Sequence, residues 1–193
     1  MSTLIFDLDG TLVDCKELHQ FAFRESILYY CPECEYNDEQ VEGRPTLEKV
    51  RIIKSLGYNF NIDKVNQMKQ MLTQRHINEY VQFNQELYSE LYRLKERHKL
   101  TLASNATELF VNRVLEITKL KQLFEVINTA TDFPPKPDPF TYIDCMRKTD
   151  STSENTIIFE DSPIGIAGAN STGAKVIEVL DSKDLVKKLK LII

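Results

Sequence analysis

The sequence predicts a doubly wound α/β core, a Rossmann-like parallel sheet, interrupted after its first strand by an all-helical insert. Three observations carry this expectation. The apolar run Leu4-Ile5-Phe6 stops at Asp7, as expected of a strand buried on both faces. Residues 15–82 then show apolar groups at three- and four-residue spacings and no confident strand. From residue 85 onward, short β-branched runs alternate with amphipathic stretches, the pattern of a parallel sheet covered by helices. The expected division is a core of residues 1–14 and 83–193 with a helical cap of residues 15–82.

Taken in order, the first strand is TLIFD, after which Gly10 gives the backbone freedom to turn. Leu18, Phe21, Ala22, Leu28 and Tyr29 mark a helix over about 16–30, broken by Pro32 and the polar run EYNDEQ. A second helix is expected after Gly43-Arg44-Pro45, with Thr46 as N-cap and Gly57 as stop. A third spans about 63–80 through Val65, Met68, Leu72 and Ile77. Beyond residue 85 the expected strands are 100–104, 124–130, 156–160 and 174–179. Between and after them, helices are expected at 107–117, 139–148, 164–170 and 183–189.

Composition narrows the function classes. With 24 Lys and Arg against 29 Asp and Glu, the net charge is −5, and no basic run stands out. A nucleic-acid backbone is therefore an unfavourable partner. No stretch reads as a signal peptide or a bilayer span, so a cytoplasmic protein, monomeric or weakly dimeric, is expected. In that compartment Cys15, Cys31, Cys34 and Cys145 are expected as reduced thiols. Cys31-Pro-Glu-Cys34 lacks the further ligands of a zinc site and reads as a helix-end pair without function.

In doubly wound sheets ligands bind beyond the carboxyl ends of the strands, so the residues at those ends are the candidates. Asp7 and Asp9 follow the first strand; Ser104 and Asn105 follow the second. Lys136, in KPDPFTY, follows the third, and Glu160-Asp161, in EDSPIGIAGA, the fourth. Taken singly, each has an ordinary explanation: a solvated loop acid, an N-cap serine, a loop lysine, an acidic helix cap. Together and in this order they are hard to explain that way.

This ordered set, opening with DLDGTLVD, resembles the four motifs of the haloacid dehalogenase superfamily. DCKELHQFAF is similar to the start of the helical cap in its beta-phosphoglucomutase and phosphoglycolate phosphatase group. The resemblance implies a phosphatase acting on a small phosphate ester. Asp7 is then the nucleophile that becomes an aspartyl-phosphate, and Asp9 the general acid and base. Mg²⁺ is the implied cofactor, held by the Asp7 and Asp161 carboxylates and the Asp9 carbonyl, with Glu160 ligating directly or through water. Ser104, Lys136 and the amides of Leu8 and Asn105 are the implied phosphate contacts.

His19 and Arg44 are candidate substrate contacts in the cap, which is expected to close over the core during turnover. Asp9 argues against dehalogenase and phosphonatase activity, since those enzymes lack the second acid. Mutases of the group carry an Arg three residues after the cap glycine, where this chain has Thr46. Hydrolysis is therefore favoured over a phosphosugar mutase. A non-catalytic phosphate-binding module is the remaining alternative.

Overall fold

The computed structural model describes residues 1–41 and 46–192. Gly43, Arg44 and Pro45, named above for the turn before the second helix, lie outside the described residues. The chain divides into two compact units, one of Met1–Cys15 with Val81–Ile193, the other Lys16–Tyr80.

The first unit is built on five parallel strands: β1 (Ser2–Phe6), β2 (His98–Ala103), β3 (Val126–Asn128), β4 (Thr156–Glu160) and β5 (Lys175–Glu178). Their spatial order is β3-β2-β1-β4-β5. The doubly wound expectation therefore holds, and the order of strands reverses between β1 and β4. Phe6 is in register with Leu102 on one side and Phe159 on the other. The Asp7 amide carries the ladder one step further, donating to the Phe159 carbonyl at 3.0 Å.

Leu4, Ile5 and Phe6 are completely buried, as a central strand covered on both faces requires. The Phe6 ring stacks on Phe159 at 4.9 Å and meets Phe124 edge-on at 6.1 Å. Another cluster joins Ile5, Ala103 and Ile158 to Tyr142, Cys145, Met146, Ala169 and Ala174. The strand connections include α5 (Gln85–Lys95), α6 (Glu108–Ile117), α7 (Phe140–Lys148) and α8 (Pro163–Asn170), and α9 (Ser182–Leu189) follows β5. Asn84 starts α5, its side chain accepting from the Glu86 and Leu87 amides.

Among the described residues the second unit is all helical: α1 (Lys16–Tyr30), α2 (Asp38–Val41), α3 (Thr46–Ser55) and α4 (Ile62–Tyr80). Its core gathers Phe23, Ile27, Val41, Val50, Ile53, Phe60 and Val65 around Cys31 and Cys34.

Local departures from expectation have local causes. The short helix Asp38–Val41 falls inside the polar run read as a break; four residues leave too little periodicity to detect. The strand expected over 124–130 is confined to Val126–Asn128. A 3₁₀ turn, Lys121–Leu123, precedes it, and the Ala130 amide leaves the sheet to donate to the Ala106 carbonyl. Thr46 is the first helical residue rather than the cap.

Cys31 and Cys34, expected as thiols, form a disulfide. The Cys34 amide donates to the Cys31 carbonyl, closing a turn that brings the Cα atoms within 5.3 Å, inside disulfide range. Cys15 and Cys145 are buried and lie outside any disulfide.

Because Phe6 joins two strand neighbours and two rings in a fully buried position, Phe6→Ala should destabilise the protein by about 3–5 kcal/mol. Urea denaturation of the two proteins checks this; a loss below about 1 kcal/mol contradicts the packing described.

Candidate active site

Strands β1 and β4 end side by side where the strand order reverses, and the acids that follow them are thereby brought together. Each of Asp7, Glu160 and Asp161 offers a carboxylate oxygen, all within 4.8 Å of one another. Asp7 and Glu160 are buried and Asp161 is half-buried. Burying carboxylates so close together is costly without a compensating cation.

The protein's own cation there is Lys136, only 6 % exposed. Its Nζ donates to Asp7 Oδ1 at 2.5 Å, to the Ala103 carbonyl at 2.8 Å and to Glu160 Oε1. All three ammonium hydrogens thus have acceptors. The loop that carries Lys136 is fixed from the end of β2, where Asn105 Oδ1 accepts the Lys136 amide at 2.7 Å. Asn105 was expected to contribute an amide; its side chain also anchors the lysine backbone.

One ammonium does not balance three carboxylates. Burial, reinforced by the charges of Glu160 and Asp161, holds the Asp7 carboxyl well above the usual range despite Lys136. Asp161 is pushed up to about 6 by burial and by Glu160 and Asp9. Burial alone would lower Lys136, but Asp7 and Glu160 more than offset it and raise the ammonium above its ordinary value. The site therefore favours an added positive charge, either a proton or a cation. Oxygen-only donors at this spacing suit a hard divalent ion.

Two glycines make the crowding possible. A Cβ on Gly10, whose φ is +94°, would lie 2.1 Å from an Asp161 oxygen, and one on Gly165 would lie 2.2 Å from the Glu160 carboxylate. The loop after β1 closes tightly: Gly10 donates to the Val13 carbonyl, and the Leu12 and Val13 amides share the Leu8 carbonyl. Asp9 Oδ1 accepts the Cys15 amide at 2.9 Å. Thr11 Oγ1 reaches Asp161 Oδ1 at 3.4 Å.

Ser104 is buried at the end of β2, its Oγ accepting the Ala106 amide at 3.1 Å. It does not cap α6; that position is Thr107. Among the described residues nothing accepts the Ser104 hydroxyl hydrogen, nor the amides of Leu8 and Asn105. These donors can serve an anion. The cap of α8 is Ser162, whose Oγ accepts the Gly165 amide, so Glu160 and Asp161 are not spent on capping.

The structure thus brings Asp7, Lys136, Glu160 and Asp161 into one cluster, with Asp9 on the adjoining loop and Ser104 and Asn105 at the next strand end. His19 belongs to the helical unit, where its Nδ1 lies 3.3 Å from Lys69 Nζ. Arg44 lies outside the described residues.

Tyr142 was not foreseen. It is fully buried, and its hydroxyl donates to Glu160 Oε1 at 2.7 Å. Burial and the Glu160 charge push its ionisation far above the ordinary range, so the phenol stays a donor. The one sequence signal was an aromatic three residues after Pro139, in the first turn of a helix.

Known proteins resemble this chain over most of its length. The chain is 26% identical over 187 residues to pyrophosphatase PpaX of Bacillus mycoides, covering 93% of this chain and 83% of that protein. It is 27% identical over 177 residues to a phosphorylated carbohydrates phosphatase of Thermotoga maritima, covering 90% and 82%. The crystal structure of a putative beta-phosphoglucomutase from Thermotoga maritima shares the fold, with a TM-score of 0.82 and 22% identity over the whole of both chains. The haloacid dehalogenase-like hydrolase family matches residues 4–179. That span contains the strand ends and loops that carry the acidic cluster, Lys136 and Ser104, and the chain belongs to this hydrolase family.

Proposed function

We propose that this hydrolase cleaves a small phosphate monoester by way of an aspartyl-phosphate on Asp7. The observation that carries the reading is Lys136, held on Asp7 inside a carboxylate cluster that still lacks positive charge. Phosphoryl transfer proceeds through a loose, anionic transition state, so fixed cations and aimed donors supply most of the catalysis.

Asp7 attacks phosphorus in line, and the ester oxygen leaves. Lys136 stabilises the nucleophile's carboxylate against its two acidic neighbours. Ser104 Oγ and the Leu8 and Asn105 amides donate to the phosphoryl oxygens. Asp9 protonates the leaving oxygen, then takes a proton from the water that hydrolyses the acyl phosphate.

Mg²⁺ would suit the carboxylate donors of Asp7 and Asp161, with Glu160 beside them, and the Asp9 carbonyl would complete the protein ligands. Bound there, it supplies the positive charge that neutralises carboxylates and phosphoryl oxygens together. The names of the curated relatives, a pyrophosphatase and a phosphorylated carbohydrates phosphatase, support a small phosphorylated metabolite as substrate.

With an aryl phosphate and Mg²⁺, the protein should release inorganic phosphate with no bisphosphate primer. Asp7→Asn should lower kcat by at least about 10³-fold. Release unaffected by this substitution rules out the nucleophile assignment, and release that requires a bisphosphate primer points to the mutase instead. EDTA should abolish turnover and added Mg²⁺ restore it.

The raised Asp161 carboxyl gives a second, metal-free test. Its folded value, about 6, lies above its ordinary 3.8. Its contribution to stability is therefore full below the ordinary value and is lost as pH rises through about 6. In EDTA at pH 7, Asp161→Asn should raise Tm by about 2–4 °C, and the gain should vanish near pH 4. Thermal scans by circular dichroism at both pH values check the sign; a loss of stability at pH 7 refutes it.

A further inference from the structure

We propose that Tyr142 is a positioning residue: its hydroxyl fixes the Glu160 carboxylate so that Glu160 in turn holds Lys136 on the nucleophile Asp7. The inference rests on the hydrolytic reading above for its kinetic consequence, but its structural content can be tested without turnover.

The packing around Tyr142 does not call for a phenol. Its ring fills an apolar cluster with Ile5, Ala103, Cys145, Met146, Ile158, Ala169 and Ala174, where phenylalanine has the same shape. A hydroxyl in such a place is costly unless it is paired. This one donates to Glu160 Oε1 at 2.7 Å and lies 3.2 Å from the Gly165 carbonyl. The oxygen it reaches is the one that also accepts Lys136 Nζ. The Lys136 ammonium in turn stands 5.2 Å from the centre of the tyrosine ring. Tyr142 therefore touches both members of the Lys136–Glu160 pair.

The other carboxylate oxygen is equally committed. Glu160 Oε2 lies 3.2 Å from the Asp161 amide, 3.2 Å from Ser162 Oγ and 3.4 Å from the Ser162 amide. A carboxylate offers about four acceptor positions, and protein donors occupy those of Glu160 on both oxygens. With the phenol in place the carboxylate has one orientation, Oε1 towards Lys136 and Oε2 towards the loop. Without it, Oε1 keeps a single donor, and the carboxylate can rotate. Lys136 then keeps Asp7 Oδ1 and the Ala103 carbonyl as acceptors but loses the fixed third acceptor that sets where its ammonium stands against Asp7.

The test compares wild type, Tyr142→Phe, Glu160→Gln and the double variant. Tyr142→Phe should keep Tm within a few degrees and lower kcat for an aryl phosphate about tenfold, with KM changed less than about twofold. On the Glu160→Gln background the same substitution should cost nothing further, because the path from hydroxyl to lysine is already cut. An unchanged kcat, or an equal loss on both backgrounds, overturns the proposal.

The second readout is NMR of metal-free protein. The Lys136 ammonium resonance should move or broaden in Tyr142→Phe. The Tyr142 hydroxyl proton should shift in Glu160→Gln, a measurement that needs no tyrosine variant to fold. If neither signal changes, the positioning role is wrong. Should the wild type release no phosphate at all, the hydrolytic reading fails, while these two signals still decide the role of Tyr142.

Discussion

A single buried ammonium sets the terms for the first unit. Lys136 joins groups that the chain keeps far apart: Asp7 lies 129 positions away in sequence and Glu160 24. Each of its hydrogens ends on a different strand end, those of β1, β2 and β4. It thereby ties together the carboxyl edge of the sheet where the strand order reverses. Removing one partner from such a buried ionic cluster leaves an uncompensated charge, a loss of about 3–5 kcal/mol in typical cases. The surroundings serve this arrangement: Asn105 anchors the lysine backbone, Gly165 leaves room for the Glu160 carboxylate, and Tyr142 and the loop amides occupy its oxygens.

The charge balance also explains why so ordered a site is not an optimum of stability. Three carboxylates face one lysine, and both Asp7 and Asp161 are raised towards protonation. A core selected for stability alone would replace one acid with an amide. Retaining the excess negative charge leaves the site short of positive charge, at the expense of the fold's stability.

Much of this was legible in the sequence because the relevant signals are local. An apolar run that halts at an acid marks both a buried strand and the end where ligands gather. Runs that halt at Asp7 and at Glu160-Asp161, with Lys136 between, pointed to the members of the cluster, and a third run that halts at Ser104 pointed to the adjoining strand end. What escaped depends on neighbours distant in the chain. Tyr142 reads as one more apolar residue of an amphipathic helix until its hydroxyl is seen against Glu160. Asn105 looked like an amide donor because nothing local shows that its side chain meets the Lys136 backbone. The Cys31–Cys34 pair was read through an expectation about compartment, whereas a turn between the two residues was enough to join them. The four-residue helix Asp38–Val41 is too short for any periodicity to register.

The sequence distance between β1 and its two partner strands bears on how the protein folds. β1 pairs with β2 from Ser2 with His98, and with β4 from Thr3 with Thr156. The central strand therefore has no partner until β2 exists and lacks its second partner until β4 does, and such long-range pairings are slow to form. The repulsion between Asp7 and the Glu160-Asp161 pair is likewise absent until β4 docks beside β1. Electrostatic opposition thus falls on the step that docks β4 beside β1. Lys136, emerging from the ribosome before Glu160, is already present to meet it.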